Sequence, residues 1–253
     1  MKLSVTHTLT FSLGTPVRAV QHLLLTPLAT PQQRIERWSI DMPGFAEAPT
    51  FRDGYGNKAH LVSQVKPGPT IVVTVSGAVD TADRAGVIGR LEYDPMPALF
   101  RRRTEATTAV PELLEDLKDG PDRIALFHEL MDRVHDRADG RHQSQDGQSQ
   151  SQGAPRPPAL AHALIGAVRK LGIPARYVTG YLLGEDGTAS VHAWAELWDE
   201  NLGWIGFDPL LNLCPTESHI RLASGLDATS TMPIRSVPAW AEMPEEKVEI
   251  VAG

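Results

Sequence analysis

The sequence predicts an α+β protein. Residues 1–110 read as a sandwich-like, all-β N-terminal domain, and residues 111–253 as a core in which one central helix packs on an antiparallel sheet. Three observations carry this expectation. Up to residue 110, apolar side chains recur at period two between Gly, Pro and Asp-Gly breaks, the pattern of short half-buried strands. Over residues 160–171 they follow helical spacing instead. After Gly172 the chain returns to β-rich runs separated by turn residues.

The elements follow in order. Leu3, Val5, Leu9 and Phe11 share one face and form no continuous apolar run, so the first residues read as a strand and not as a secretion signal. Ile71 to Val75 is a buried strand, and Gly44, Asp53-Gly54, Gly56-Asn57 and Pro67-Gly68-Pro69 mark turns, which suits a sandwich. A linker runs through Pro95-Met96-Pro97 to Ala109. Pro111 opens one helix; Ile124, Phe127, Leu130, Met131 and Val134 mark another, entered through Gly120-Pro121-Asp122. His128 and His135 fall on one side of it, but two histidines are fewer ligands than zinc takes, so no metal is expected there.

Residues 140–158 are rich in Gln, Ser, Gly and Pro, the composition of a flexible, solvated tract. The central helix turns Leu160, Ala161, Leu164, Ile165, Val168 and Leu171 inward and leaves Arg169 and Lys170 outside; Gly172 ends it, with Pro174 just beyond. Two strands then flank Asp199-Glu200-Asn201. With those three residues as the loop, Trp198 pairs with Leu202, and His192 stands opposite Asp208. Opposed residues on an antiparallel pair lie about 5 Å apart at Cβ, so the carboxylate could fix the imidazole's tautomer and orientation, as the acid of a catalytic triad does. Spacing alone fits an ordinary cross-strand polar pair equally well. Trp194, Glu196 and Trp198 share the face of His192 by period two, which predicts an aromatic-walled binding cleft. His219 and Arg221 alternate on a later strand and read as structural, and His162 as a hydrogen-bonded core histidine.

Composition narrows the function. At 253 residues the chain can bury two modest cores, and 42% hydrophobic content suits a soluble protein. A net charge of −7 argues against a nucleic-acid partner, and Arg101-Arg102-Arg103 is too short a run to reverse that. The lone cysteine, Cys214, excludes an internal disulfide and points to a reducing compartment, the cytoplasm. No apolar stretch approaches the ~20 residues of a membrane span.

Four motifs then fall in order: Leu171-Gly172-Ile173-Pro174-Ala175-Arg176-Tyr177-Val178-Thr179-Gly180-Tyr181, Val191-His192-Ala193-Trp194-Ala195-Glu196, Gly203-Trp204-Ile205-Gly206-Phe207-Asp208-Pro209, and His219-Ile220-Arg221-Leu222-Ala223-Ser224-Gly225. Together they resemble the bacterial transglutaminase-like family, whose core is shared with papain-type cysteine proteases. Val17-Arg18, Leu25-Thr26-Pro27 and residues 53–61 resemble that family's N-terminal β domain. The resemblance implies a Cys-His-Asp triad, with His192 as the catalytic histidine and Asp208 as its orienting acid, and it implies no cofactor.

The nucleophile departs from this pattern. The family's cysteine, ahead of an Ala-His pair that matches Ala161-His162, falls on Pro157, and its acidic position on Ala159. A thiol at a helix N-terminus beside an imidazolium has its pKa lowered; proline keeps the helix start and deletes that chemistry. Asp208-Pro209-Leu210-Leu211 also departs from the family's Asp-Pro-Thr-Asn. The expectation is a catalytically inactive relative that binds a peptide, amide or protein in the old cleft. The alternative is an active cysteine peptidase, amidase or transglutaminase that uses Cys214 as a relocated thiol. A metal hydrolase built on His192, Asp208 and His162 is a third class.

Overall fold

The structure, a computed structural model, describes residues 1–14, 16–117, 122–143, 157–240, 242 and 244–253. In chain order the strands are β1 (Lys2–Ser12), β2 (Arg18–Thr26), β3 (Gln33–Asp41), β4 (Thr50–Arg52), β5 (Lys58–Val65), β6 (Thr70–Thr81), β7 (Val87–Gly89), β8 (Ala175–Leu183), β9 (Ala189–Asp199), β10 (Gly203–Phe207), β11 (His219–Gly225), β12 (Ile234–Val237) and β13 (Glu245–Ala252). The helices are α1 (Arg123–Gln143) and α2 (Pro157–Lys170).

Two four-stranded sheets, β13-β1-β6-β3 and β12-β2-β5-β4, form the sandwich. The period-two face of β1 is buried as expected, with Leu3, Val5, Leu9 and Phe11 packed against Leu23, Val62, Val73 and Val75. The domain boundary needs correction. β12 and β13 lie inside the expected core span yet return to pair with β2 and β1, the latter along eight residue pairs. β7 lies inside the expected N-terminal span yet pairs with β10. Each return covers a strand edge that would otherwise stay unpaired, a demand that periodicity does not encode.

The core sheet runs β11-β8-β9-β10-β7, antiparallel throughout. Leu164, Ile165 and Val168 of α2 pack on its helix-side face with Tyr177, Ala193, Ala195, Leu197 and Phe207, and α1 adds Phe127, Leu130, Met131 and Val134. Three further expectations change. The helix expected from Pro111 is a single 3₁₀ turn, Pro111–Leu113. α1 continues to Gln143, so the tract expected from residue 140 starts inside a helix and ends where Pro157 and Pro158 open α2; residues 144–156, with Ser144, Ser149 and Ser151, lie outside the described residues. Arg169, expected outside, is buried, whereas Leu171 is 41% exposed. The reason is the helix end. Arg169 spreads its guanidinium over the carbonyls of Phe100 (2.9 Å), Ala175 (2.8 Å) and Leu226 (2.9 Å) and the Thr107 hydroxyl (3.0 Å), and Gly172 at φ +77° turns Leu171 out.

The sandwich meets the core at strand β11. The Gln33 amide exchanges two 2.8 Å hydrogen bonds with the Arg221 backbone, and the Asn57 amide does the same with Ser224. Side-chain amides thus stand in for a neighbouring strand at the sheet edge. Among the described residues no helix is long and apolar enough to cross a membrane.

Candidate active site

The site begins with the β9–β10 hairpin. Asp199 Oδ1 accepts the N–H groups of Asn201 and Leu202, both at 2.9 Å, and Gly203 at φ +78° closes the loop, so Asp199 pairs with Gly203 and Phe207 with Ala195. This corrects the expected register by two residues. Because a strand alternates faces at period two, an even slip keeps every side chain on its predicted face. Asp208, just past the ladder, therefore stands diagonal to His192 instead of opposite it, still within reach.

The reach is used. His192 Nε2 lies 2.5 Å from Asp208 Oδ2, with both side chains buried. His219, set aside from sequence as structural, contacts the same oxygen through Nε2 at 3.2 Å. The other carboxylate oxygen accepts the backbone N–H of Leu210 (3.0 Å) and Leu211 (3.3 Å). Burial pushes the Asp208 carboxyl up, but the hydrogen bonds from His192 and His219 outweigh this and hold it at about 2. Asp208 is thus an ionised acceptor at neutral pH.

The backbone assigns one tautomer. The Thr216 N–H donates to His219 Nδ1 at 3.1 Å, so that nitrogen carries a lone pair and Nε2 carries the proton given to Asp208. His192 likewise donates through Nε2, and its Nδ1 has no protein partner among the described residues. The ligand atoms of His192, Asp208 and His219 lie within 4.8 Å of one another, the size of a metal site. The chemistry does not fit one: His219 Nε2 would have to give up its proton while Nδ1 still accepts from the backbone. The cluster leaves one imidazole nitrogen, His192 Nδ1, without a protein partner among the described residues.

The other expected residues sit as follows. Trp194 stacks on His192 at 6.3 Å between centroids and meets His219 edge-on at 5.5 Å. Glu196 is locked between Arg176 Nε (2.5 Å) and Arg221 Nε (2.7 Å), and Arg176 also holds Asp94 at 2.7 Å. Burial pushes the Glu196 carboxyl up, and the two guanidiniums pull it below its ordinary range. Trp198 packs edge-on against Trp204, 5.2 Å between centroids. All three are buried, so the aromatic wall that period two predicts lies inside the core and not along an open cleft.

Pro157 is the first residue of α2, the position at which the sequence comparison placed a missing cysteine. The one thiol, Cys214, packs against Gly86; burial, then the Asp83 carboxylate, push it up to about 11. His162 accepts the Ala228 N–H at 3.0 Å and packs against the Tyr177 ring at a tilt, 4.8 Å between centroids. His128 packs on Phe207, and His135 Nδ1 meets the Pro209 carbonyl at 3.1 Å. His219 is the residue that sequence reasoning missed. Its signal was available: it sits in the fourth motif, two residues before an arginine on the same face.

A helix on an antiparallel sheet that presents an ordered His–Asp pair is the core of the transglutaminase-like and papain-type cysteine proteases. The chain belongs to the bacterial transglutaminase-like proteins: residues 126–209 match the transglutaminase-like superfamily, and residues 3–80 match the bacterial transglutaminase-like N-terminal region. It is 26% identical over 257 residues to an uncharacterised protein of Mycobacterium tuberculosis, covering 84% of this chain and 79% of that one. An uncharacterised protein of Mycobacterium leprae is 33% identical over 84 residues, 30% of this chain and 29% of that protein's length. A protein-glutamine gamma-glutamyltransferase of Pseudomonas aeruginosa is 36% identical over 76 residues, 26% of this chain and 11% of the enzyme. In fold, a candidate cysteine protease from Cytophaga hutchinsonii superposes with a TM-score of 0.70 over 99% of this chain and 90% of its own, at 19% identity.

Proposed function

We propose that this chain is a transglutaminase-like protein without its thiol nucleophile, which binds an amide-bearing peptide or protein segment at the His192–Asp208 site and does not turn it over. The observation that carries this reading is the pairing of an ordered His192–Asp208–His219 cluster with proline at the first position of α2. The unpartnered His192 Nδ1 accepts a hydrogen bond, and an amide N–H supplies one. The Pseudomonas relative, named for glutamine transfer, supports amides as the ligand class. The lone cysteine supports the cytoplasm as the compartment, and the charge of −7 speaks against nucleic acid. Cys214 is a poor relocated nucleophile, because a thiol held at about 11 is protonated at neutral pH.

The test combines turnover with binding. The purified protein, given a dansylated amine with casein and separately a glutaminyl anilide, should show no turnover above buffer. A fluorescein-labelled glutamine peptide should bind, and His192→Ala should weaken it about tenfold, the loss of one hydrogen bond. Turnover that vanishes in His192→Ala overturns the inactive reading; turnover that vanishes in Cys214→Ser installs the relocated thiol.

A further inference from the structure

A second polar cluster opens onto a cavity of about 290 Å³ between sandwich and core. Arg52 and Tyr55 line it from the N-terminal domain, Glu92, Tyr93 and Asp94 from the loop after β7, and Arg221 from β11. Arg221 is 5% exposed. Its Nε and Nη2 both go to Glu196, at 2.7 and 3.3 Å, and Nη1 has no partner among the described residues. Arg176 Nη2, on the same Glu196 cluster, is buried without a partner. A buried donor is normally matched, so Arg176 Nη2 leaves this cluster short of an acceptor, while Arg221 Nη1 is an unpartnered donor on the cavity lining.

The loop after β7 brings two carboxylates to the cavity lining. Glu92 is exposed with no ion partner among the described residues, and Asp94 accepts only Arg176 (2.7 Å) and the Leu91 N–H (3.3 Å). The charges that line the cavity, Arg52 and Arg221 against Glu92 and Asp94, sum to zero, so neither a bare anion nor a bare cation is matched. Tyr93 is braced by the Arg52 guanidinium 4.1 Å above its ring, and with Tyr55 it supplies a flat apolar wall. Pockets at domain junctions with a few convergent polar groups are the usual form of small-ligand sites.

We infer that this cavity binds a small zwitterionic α-amino acid, its carboxylate on Arg221 Nη1 and its ammonium against Asp94 and Glu92. The inference does not rest on the His192 site, which lies elsewhere on the sheet and is tested separately.

Titration calorimetry on the full chain tests it, with glycine, L-leucine and L-glutamine as probes beside 4-methylpentanoate and isopentylamine, which are leucine without its ammonium and without its carboxylate. At least one amino acid should bind with a sub-millimolar Kd, and the one-charge analogues at least about tenfold more weakly. Glu92→Gln should weaken binding about tenfold, and Ala29→Trp, at an exposed position lining the cavity, should abolish it; both variants should melt like wild type. Absence of binding by all three amino acids overturns the proposal. So does equal binding of a one-charge analogue, or binding left unchanged in both variants.

Discussion

Two buried polar clusters share one face of the core sheet, with His192 and Glu196 on the same strand, and they are built in opposite ways. Around Asp208 a single carboxylate collects two imidazole N–H and two backbone N–H groups, and the atom left over is a basic nitrogen, His192 Nδ1. Around Glu196 the partners are guanidiniums, and the atoms left over are donors, Arg176 Nη2 and Arg221 Nη1. The leftover atom distinguishes the two clusters better than burial does. A lone pair calls for an N–H, as an amide offers; an orphan guanidinium N–H calls for a carboxylate.

The largest effect should come from the ionic cluster. Glu196→Ala leaves the buried Arg221 without its ion partner and Arg176 with Asp94 alone, and should cost about 3–5 kcal/mol, read from the urea midpoint. A loss below about 1 kcal/mol would mean that water reaches those guanidiniums and that the network is not closed.

Acid titration probes the other cluster. Asp208 is held at about 2, below its ordinary 3.8, so its contribution is complete above the unfolded-chain value and is lost as pH falls through about 2. From pH 6 to pH 2 the unfolding free energy of the wild type should drop roughly 1–2 kcal/mol more than that of Asp208→Asn. Parallel curves would show that the carboxylate gains nothing from its two imidazoles.

A smaller effect sharpens the role of His219. His219→Phe removes one charge-assisted donor and should cost about 1–2 kcal/mol. Nitrogen-detected NMR of the wild type at neutral pH should find the His219 proton on Nε2; a proton on Nδ1 would remove the argument against a metal there.

Cys214 should show the least. With its thiol at about 11, only about one molecule in a thousand is thiolate at pH 8, so iodoacetamide should label it slowly, and faster as pH rises. Rapid labelling at neutral pH would place an activating group beside it and reopen the active-enzyme reading.

Much of this was legible beforehand because period and composition report faces. The buried side of β1, a helix over residues 160–171 that the structure shows at Pro157–Lys170, the strands β8 and β9, and the shared face of His192, Trp194 and Glu196 all follow from spacing. Roles were less legible. Glu196 was expected in a cleft and is pinned between arginines, whereas His219 was expected to be structural and shares the Asp208 carboxylate with His192. Period two states which way a side chain points and not what meets it there.

By itself, the sequence determined the two folding patterns, the shared face of His192 and Asp208, and the proline that opens α2. These are local properties: alternation, helical spacing and residue identity survive without knowledge of partners. Tertiary structure decided the rest. It set the two-residue register through the Asp199–Gly203 turn, returned β12 and β13 to the sandwich to cover strand edges, and drew Arg169 over three carbonyls. It also brought His219 to Asp208 across the sheet. Each of these depends on which hydrogen-bonding groups are left unmatched after the strands pair, and that is settled only when distant segments meet.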